Sequence, residues 1–109
     1  MDDETMRRIG GNEASFRAVN ESLRAGRTLA AADRVFAFRC ECGVLGCNQL
    51  VELTLPEYEA VRAVPTHFFL VDGHEIPETE HIVSRHERFS VVDTDGAGAQ
   101  VARDSDPRA

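Results

Sequence analysis

Residues 35–58, VFAFRCECGVLGCNQLVELTLPEY, decide the fold. Two short runs of apolar residues, 35–38 and 50–53, flank a turn that contains three cysteines and two glycines. Aromatic and β-branched runs bounded by glycine are typical of β-strands. We therefore predict a β-hairpin of the zinc-knuckle kind, with the cysteines at its tip.

The cysteines predict a metal site. An odd number of thiols argues against a disulfide framework, and a Cys40–Cys42 bond would close a small, strained ring. Gly43 and Gly46 give the turn backbone freedom, so its three thiolates can instead converge on one ion. Zinc is the expected ion, and its tetrahedral geometry needs a fourth ligand, which must be a histidine because the chain has no fourth cysteine. The alternative is three buried thiols that act as small apolar residues without a metal.

Four histidines could complete the site. We rank His74 first, because it follows an apolar strand-like run and a turn, where a ligand is easily brought to a shared centre. His81 and His86 come next and remain alternatives to His74 at this stage. His67 comes last, because it begins the strand and would point along it.

Outside the hairpin, local signals predict the remaining elements. Thr54 and Glu57 have the spacing of a capping box, with Pro56 in the first turn of a helix that must end before Pro65. Residues 67–71 form a strand, and residues 81–83 and 89–92 form a second hairpin. The alternative for the latter region is a helix that opens at Pro77.

The N-terminal part predicts one more helix. Asn12 is suited to cap it, and it runs to about Ala25, with Phe16, Val19 and Leu23 on its apolar face. The fold class is thus α+β in a single domain: a small antiparallel sheet, an N-terminal helix and a helix after the hairpin. We expect a flexible leader over residues 1–11, a zinc-stabilised domain over 12–93 and a disordered tail over 94–109.

Composition limits the function classes. The chain has 109 residues and a net charge of −7, with 12 arginines, no lysine and 19 acidic residues. A negative protein is not drawn to a phosphate backbone, so nucleic acid is a disfavoured partner. We find no apolar run of the roughly 18 residues that a membrane span needs and no signal-peptide core, so we expect no membrane association and a cytoplasmic location.

Four motifs in this chain together resemble those of a family of small uncharacterised bacterial proteins. The motifs are N-E-x-x-F-R-x-V-N-E from Asn12, C-x-C-x4-C from Cys40, L-T-x-x-E-Y-x-x-V-R from Leu53, and Gly73-His74. The resemblance covers about residues 12–92. It implies that Cys40, Cys42, Cys47 and His74 belong together in one zinc site, and it implies no particular activity.

These observations favour a non-enzymatic domain with a structural Cys3His zinc site that interacts with another protein or regulates it. A closed site with four protein ligands has no position for an activated water. The alternative is a thiol redox switch that releases zinc on oxidation. A third hypothesis is nucleic-acid binding of the zinc-knuckle kind, with bases stacked on Phe36 and Phe38 beside a basic strip formed by Arg24, Arg27, Arg34 and Arg39.

Overall fold

The computed structural model describes residues 1–27 and 31–108, and it has the α+β fold that the sequence predicts. The elements in chain order are α1 (Asp3–Ala25), β1 (Val35–Arg39), β2 (Leu50–Thr54), α2 (Leu55–Arg62), β3 (His67–Leu70), β4 (Glu80–Arg85), β5 (Ser90–Thr94) and α3 (Gly96–Asp104).

The strands divide between two antiparallel sheets rather than forming one. β1 and β2 pair as the expected hairpin, with Phe38 opposite Val51. β4 and β5 form the second predicted hairpin, and β3 pairs with the other side of β5. The backbone N–H of Glu41 donates to the carbonyl of Phe69 (3.0 Å), which ties the end of the first hairpin to β3.

The second strand passes directly into α2 through the capping box. The Thr54 hydroxyl accepts from the N–H of Glu57 (3.2 Å), and the Glu57 carboxylate accepts from the N–H of Thr54 (2.7 Å). Both groups would otherwise lack a partner at the start of the helix. This helix places Tyr58 against Phe38 with ring centres 4.7 Å apart, and Phe69 packs edge-on against both. The three rings form the centre of the apolar core.

The expectation of a flexible leader over residues 1–11 is wrong. α1 begins at Asp3, and the Asp2 carboxylate caps it by accepting from the N–H of Thr5 (2.8 Å). Gly10 lies in the middle of this helix and fits its close contact with α3: a Cβ there would lie 2.8 Å from the Cα of Gly98. Gly10, within the predicted leader, is therefore the residue that lets two helices touch.

The buried face of α1 also differs from the predicted one. Phe16 is buried, but Val19 and Leu23 are 43% and 36% exposed. The face is completed instead by polar side chains with no exposed surface, namely Glu13, Arg17 and Asn20. Burial of such groups is tolerated only when they are hydrogen-bonded.

The expectation of a disordered tail over residues 94–109 is likewise wrong for the part that the structure describes; Ala109 lies outside it. Thr94 ends β5, and α3 follows and packs on α1. Asp106 then accepts from the buried guanidinium of Arg62 (2.5 Å). The folded unit thus extends well beyond the predicted limits of 12–93.

Candidate metal centre

The β1–β2 hairpin delivers the three cysteines. Cys40 follows β1 directly, and its N–H donates to the carbonyl of Gln49 (3.0 Å), which continues the hairpin ladder by one step. The turn then reverses, with Cys47 N–H donating to Val44 O (3.1 Å). Gly46 has a φ of +93°, a conformation that favours glycine. This reversal brings Cys47 back towards Cys40 and Cys42.

His74 comes from the turn after β3. Its N–H donates to Val71 O (3.0 Å), and Gly73 again takes a φ of +93° to make the turn tight. The N–H of Val71 donates to the sulfur of Cys40 (3.3 Å), so the same segment contacts the cysteine turn twice. The centre therefore lies between the tip of one sheet and the end of a strand of the other.

The four side chains lie close enough together to hold one metal ion. Their ligand atoms all lie within 4.8 Å of one another. The Nδ1 atom of His74 is 3.7 Å from the Cys40 sulfur and 3.8 Å from the Cys47 sulfur. Zinc–sulfur bonds of about 2.3 Å and zinc–nitrogen bonds of about 2.0 Å at tetrahedral angles place such atoms about 3.6 Å apart. The arrangement is close to that of a metal-bound set.

Burial makes the inner thiols costly to ionise without a cation. It raises the pKa of Cys40 to about 12, against the opposing effect of hydrogen bonds from the N–H groups of Val71 and Cys42. Burial also raises the pKa of Cys42, whose sulfur accepts from the N–H of Val44. Backbone N–H groups aimed at sulfur orient the ligand atoms and stabilise thiolates, and a metal ion bound here would supply the remaining positive charge.

The other three histidines lie elsewhere. His81 is exposed and bonded through Nδ1 to Asp95 (3.1 Å), which raises its pKa. His86 stacks on Phe89 with ring centres 4.5 Å apart, and His67 lies beside Asp93. His74, ranked first from the sequence, is thus the histidine that lies with the cysteines, and His81 and His86 do not replace it.

α1 supports the cysteine turn from behind, a role that the sequence did not reveal. Asn12, expected to cap the helix, lies inside it and donates from Nδ2 to Gly43 O (2.9 Å). A Cβ at Gly43 would collide with the side chain of Ile9, so the turn fits closely against the helix. Arg39 donates to Cys47 O (2.5 Å) and covers the Phe16 ring.

Glu41 lies between the first two cysteines and is fully buried. Its carboxylate accepts from Asn20 Nδ2 (2.9 Å), and burial raises its pKa to about 8 despite this bond. The same Asn20 donates to Arg39 O and accepts from Arg39 N–H (2.9 and 2.8 Å). One side chain of α1 thus holds both the end of β1 and the residue between two cysteines.

The surface expected to bind nucleic acid is occupied by internal contacts. Phe38 is buried in the core. Arg27 and Arg34 lie over the Phe36 ring at 4.8 and 4.9 Å. Arg24 pairs with Glu59 (3.3 Å). Phe38 and these three arginines thus make contacts within the chain.

The fold and the site define an α+β domain with a Cys3His cluster. Comparison with models of protein families, with curated proteins and with solved structures finds no match. The resemblance drawn from the four motifs therefore stays a prediction. Among residues 1–27 and 31–108, no helix is both long enough and apolar enough to cross a membrane.

Proposed function

We propose that this protein is a small, non-enzymatic zinc domain of the cytoplasm that interacts with another protein. The observation that carries the proposal is the convergence of Cys40, Cys42, Cys47 and His74 within 4.8 Å. Three sulfurs and one imidazole in tetrahedral spacing are a donor set that suits zinc. The structural role follows from the number of ligands, because four protein ligands leave no coordination position for a substrate or an activated water.

Zinc at this point would fasten the two sheets together. The cysteine turn belongs to the β1–β2 hairpin, and His74 belongs to the turn after β3. A structural metal commonly supplements the apolar core of a small domain. Folding and zinc binding are then coupled.

The surface around the centre supports a protein partner. Leu45, at the tip of the hairpin, is 80% exposed, and Val44 and Leu50 are exposed beside it. Exposed apolar side chains grouped next to a rigid turn are a feature of protein-binding surfaces. The net charge of −7 and the covered Phe36 and Phe38 rings favour a protein over nucleic acid as the partner.

Native mass spectrometry of the reduced protein tests the metal site. We expect one zinc per chain, and we expect a chelator to remove the zinc and the compact charge states together. His74→Ala should lower the free energy of unfolding of the zinc-loaded protein by at least about 3 kcal/mol, since structural zinc contributes about 10–16 kcal/mol in zinc-finger peptides. His81→Ala, at an exposed imidazole, should leave the melting temperature nearly unchanged. A folded protein that binds no zinc would refute the site.

Matched variants test the binding surface. Leu45→Asp changes the hairpin tip, and Leu23→Asp makes the same change at a partly exposed leucine of α1. A protein that is captured by the wild type and by Leu23→Asp, but not by Leu45→Asp, is a partner of the hairpin tip. Equal capture by both variants would place the interaction elsewhere.

A further inference from the structure

The three cysteines differ in their access to solvent. Cys40 and Cys42 are buried, whereas Cys47 is half-buried. Cys47 and His74 line a cleft of about 580 Å³, which also includes Leu45, Asn48 and Glu75. A small reactant in solution thus reaches the outer side of the cluster at Cys47, and the inner cysteines lie behind it.

The contacts among the sulfurs indicate which pair could form a disulfide. The Cys42 sulfur lies within 4.8 Å of those of both Cys40 and Cys47. A bond between Cys40 and Cys42 would span a single residue and be strained. Cys42 and Cys47 are separated by four residues that include two glycines, one of them the left-handed Gly46. The Cys40 sulfur is buried and accepts from the N–H of Val71 (3.3 Å), on the side of the cluster away from the cleft.

We propose that Cys47 is a site of oxidation by hydrogen peroxide or another hydroperoxide, and that Cys42 resolves the oxidised sulfur as a disulfide. The inference rests on the proposed zinc site. The Cys47 thiolate takes one oxygen from hydrogen peroxide and becomes a sulfenic acid, with release of hydroxide. The Cys42 thiolate attacks that sulfur, the Cys42–Cys47 bond forms, and a second hydroxide leaves. Two electrons pass from the sulfurs to one peroxide, while zinc keeps its oxidation state.

Oxidation would remove two of the four zinc ligands. Cys40 and His74 alone do not make a closed tetrahedral site, so the zinc leaves. The turn that contains His74 would then lose its link through the metal to Cys42 and Cys47 and keep the hydrogen bond from the N–H of Val71 to the Cys40 sulfur. Val44 and Leu45 would lie inside the ring that the new disulfide closes, which changes the shape of the hairpin tip. The carbonyl of Gly43, which Asn12 holds, lies in this same turn, so the change reaches α1.

Peroxide treatment of the zinc-loaded protein, followed by peptide mapping, tests the proposal. We expect one equivalent of hydrogen peroxide to release the zinc, detected with a chromogenic chelator. A protease that cleaves after glutamate separates Cys40, in peptide 22–41, from Cys42 and Cys47, in peptide 42–52. The expected product is peptide 42–52 lighter by two hydrogen atoms, with Cys40 still able to react with an alkylating reagent.

Each other outcome points to a specific failure. A disulfide that joins peptides 22–41 and 42–52 overturns the assigned pair. Zinc that stays bound through the peroxide treatment overturns the inference and leaves the proposed zinc site intact. Protein that carries no zinc before peroxide is added overturns the proposed function, and this inference with it.

Two variants separate the order of events. Cys42→Ser lacks the resolving thiol, so a 1,3-diketone reagent should trap the sulfenic acid on Cys47. Cys40→Ser keeps both reacting thiols and should form the same Cys42–Cys47 disulfide. Trapping of the sulfenic acid on Cys40 in the first variant would contradict the assignment, and so would a second variant that circular dichroism shows to be folded but that forms no disulfide.

Discussion

The two sides of this molecule are buried by opposite chemistry. On the hairpin side, Phe38, Tyr58 and Phe69 stack into an apolar core beside the cysteines. On the α1 side, the residues without exposed surface include Glu13 and Arg17. The first side is stabilised by removal of apolar surface from water, and the second by hydrogen bonds between buried polar side chains and distant parts of the chain.

Arg17 illustrates what the polar side requires. Its guanidinium donates to Pro65 O (2.7 Å) and Ala102 O (2.8 Å) and lies 5.0 Å from the centre of the Phe68 ring. Ala102 lies in the last turn of α3, where carbonyl groups lack partners within the helix, and Pro65 lies in the loop between α2 and β3. A charged residue is buried here because it binds these two carbonyl groups.

The largest expected effect on stability comes from Asn20, which is buried and hydrogen-bonded, and Val19, exposed on the same helix, is its control. Asn20→Ala removes a side chain that bonds Arg39 at two backbone atoms and Glu41 at its carboxylate. Because this substitution leaves buried groups without partners, it should lower the free energy of unfolding by about 3 kcal/mol. Val19→Ala, at an exposed neighbour, should change stability by less than about 0.5 kcal/mol. Urea unfolding of both variants measures the difference, and equal effects would mean that α1 is held by its apolar residues.

Gly10 and Gly11 test the contact between α1 and α3. A Cβ at Gly10 would meet the backbone of Gly98, so Gly10→Ala should push the helices apart and cost about 2 kcal/mol. A Cβ at Gly11 meets nothing within 4 Å, so Gly11→Ala should stabilise the helix by about 0.5–1 kcal/mol. A melting temperature that falls in Gly10→Ala and rises in Gly11→Ala supports the contact. A rise in both variants would show that the helices do not pack at Gly10.

The smallest expected effect is a pH dependence of stability that comes from the buried carboxyl of Glu13 on the α1 side. This carboxyl lies near that of Glu80 and accepts from Thr94 Oγ1 (3.0 Å). Burial, together with Glu80 and the nearby Glu41, raises the pKa of Glu13 well above 4.5. The folded state therefore holds a proton that the unfolded state has lost, so stability is fully present below pH 4.5 and falls as pH rises towards the folded-state pKa.

Glu13→Gln keeps an oxygen that can accept from Thr94 Oγ1, but its amide does not gain or lose a proton. Its stability relative to the wild type should increase by about 1 kcal/mol between pH 5 and pH 7, measured by urea unfolding in excess zinc. Glu4→Gln, at an exposed carboxylate, is the control, and its free energy of unfolding should depend on pH as that of the wild type does. If the free energy of unfolding of Glu13→Gln also depends on pH as the wild type's does, Glu13 is ionised in the folded protein.

The apolar side could be predicted from the sequence because its signals are local. The strands, the capping box at Thr54 and the cysteine turn each depend on residues a few positions apart. His74 could be placed with the cysteines because it follows a recognisable strand and turn. The division into two sheets could not be predicted, since it depends on which strand β3 pairs with.

The polar side could not be predicted, because its partners are distant in the chain. From the sequence alone, Asn12 is typical of a helix cap, and Gly10 and Gly11 are typical of a linker. The contact with α3, which explains the glycine at position 10, appears only in the structure. The tail was misjudged for the same reason: Gly98 weakens an isolated helix, yet it is the residue against which α1 packs. Periodicity detects apolar faces and has no signal for a charged residue that binds remote carbonyls.

The bond from Arg17 to Ala102 also bears on the order in which the chain folds. It joins residues 85 positions apart, so it closes a loop that holds nearly all the other elements. Long loops form slowly, because their closure entropy must be overcome before any contact compensates for it. The hairpin and α2, whose contacts span short distances along the chain, can form without it. We therefore expect the two terminal helices to dock last, onto sheets that already exist.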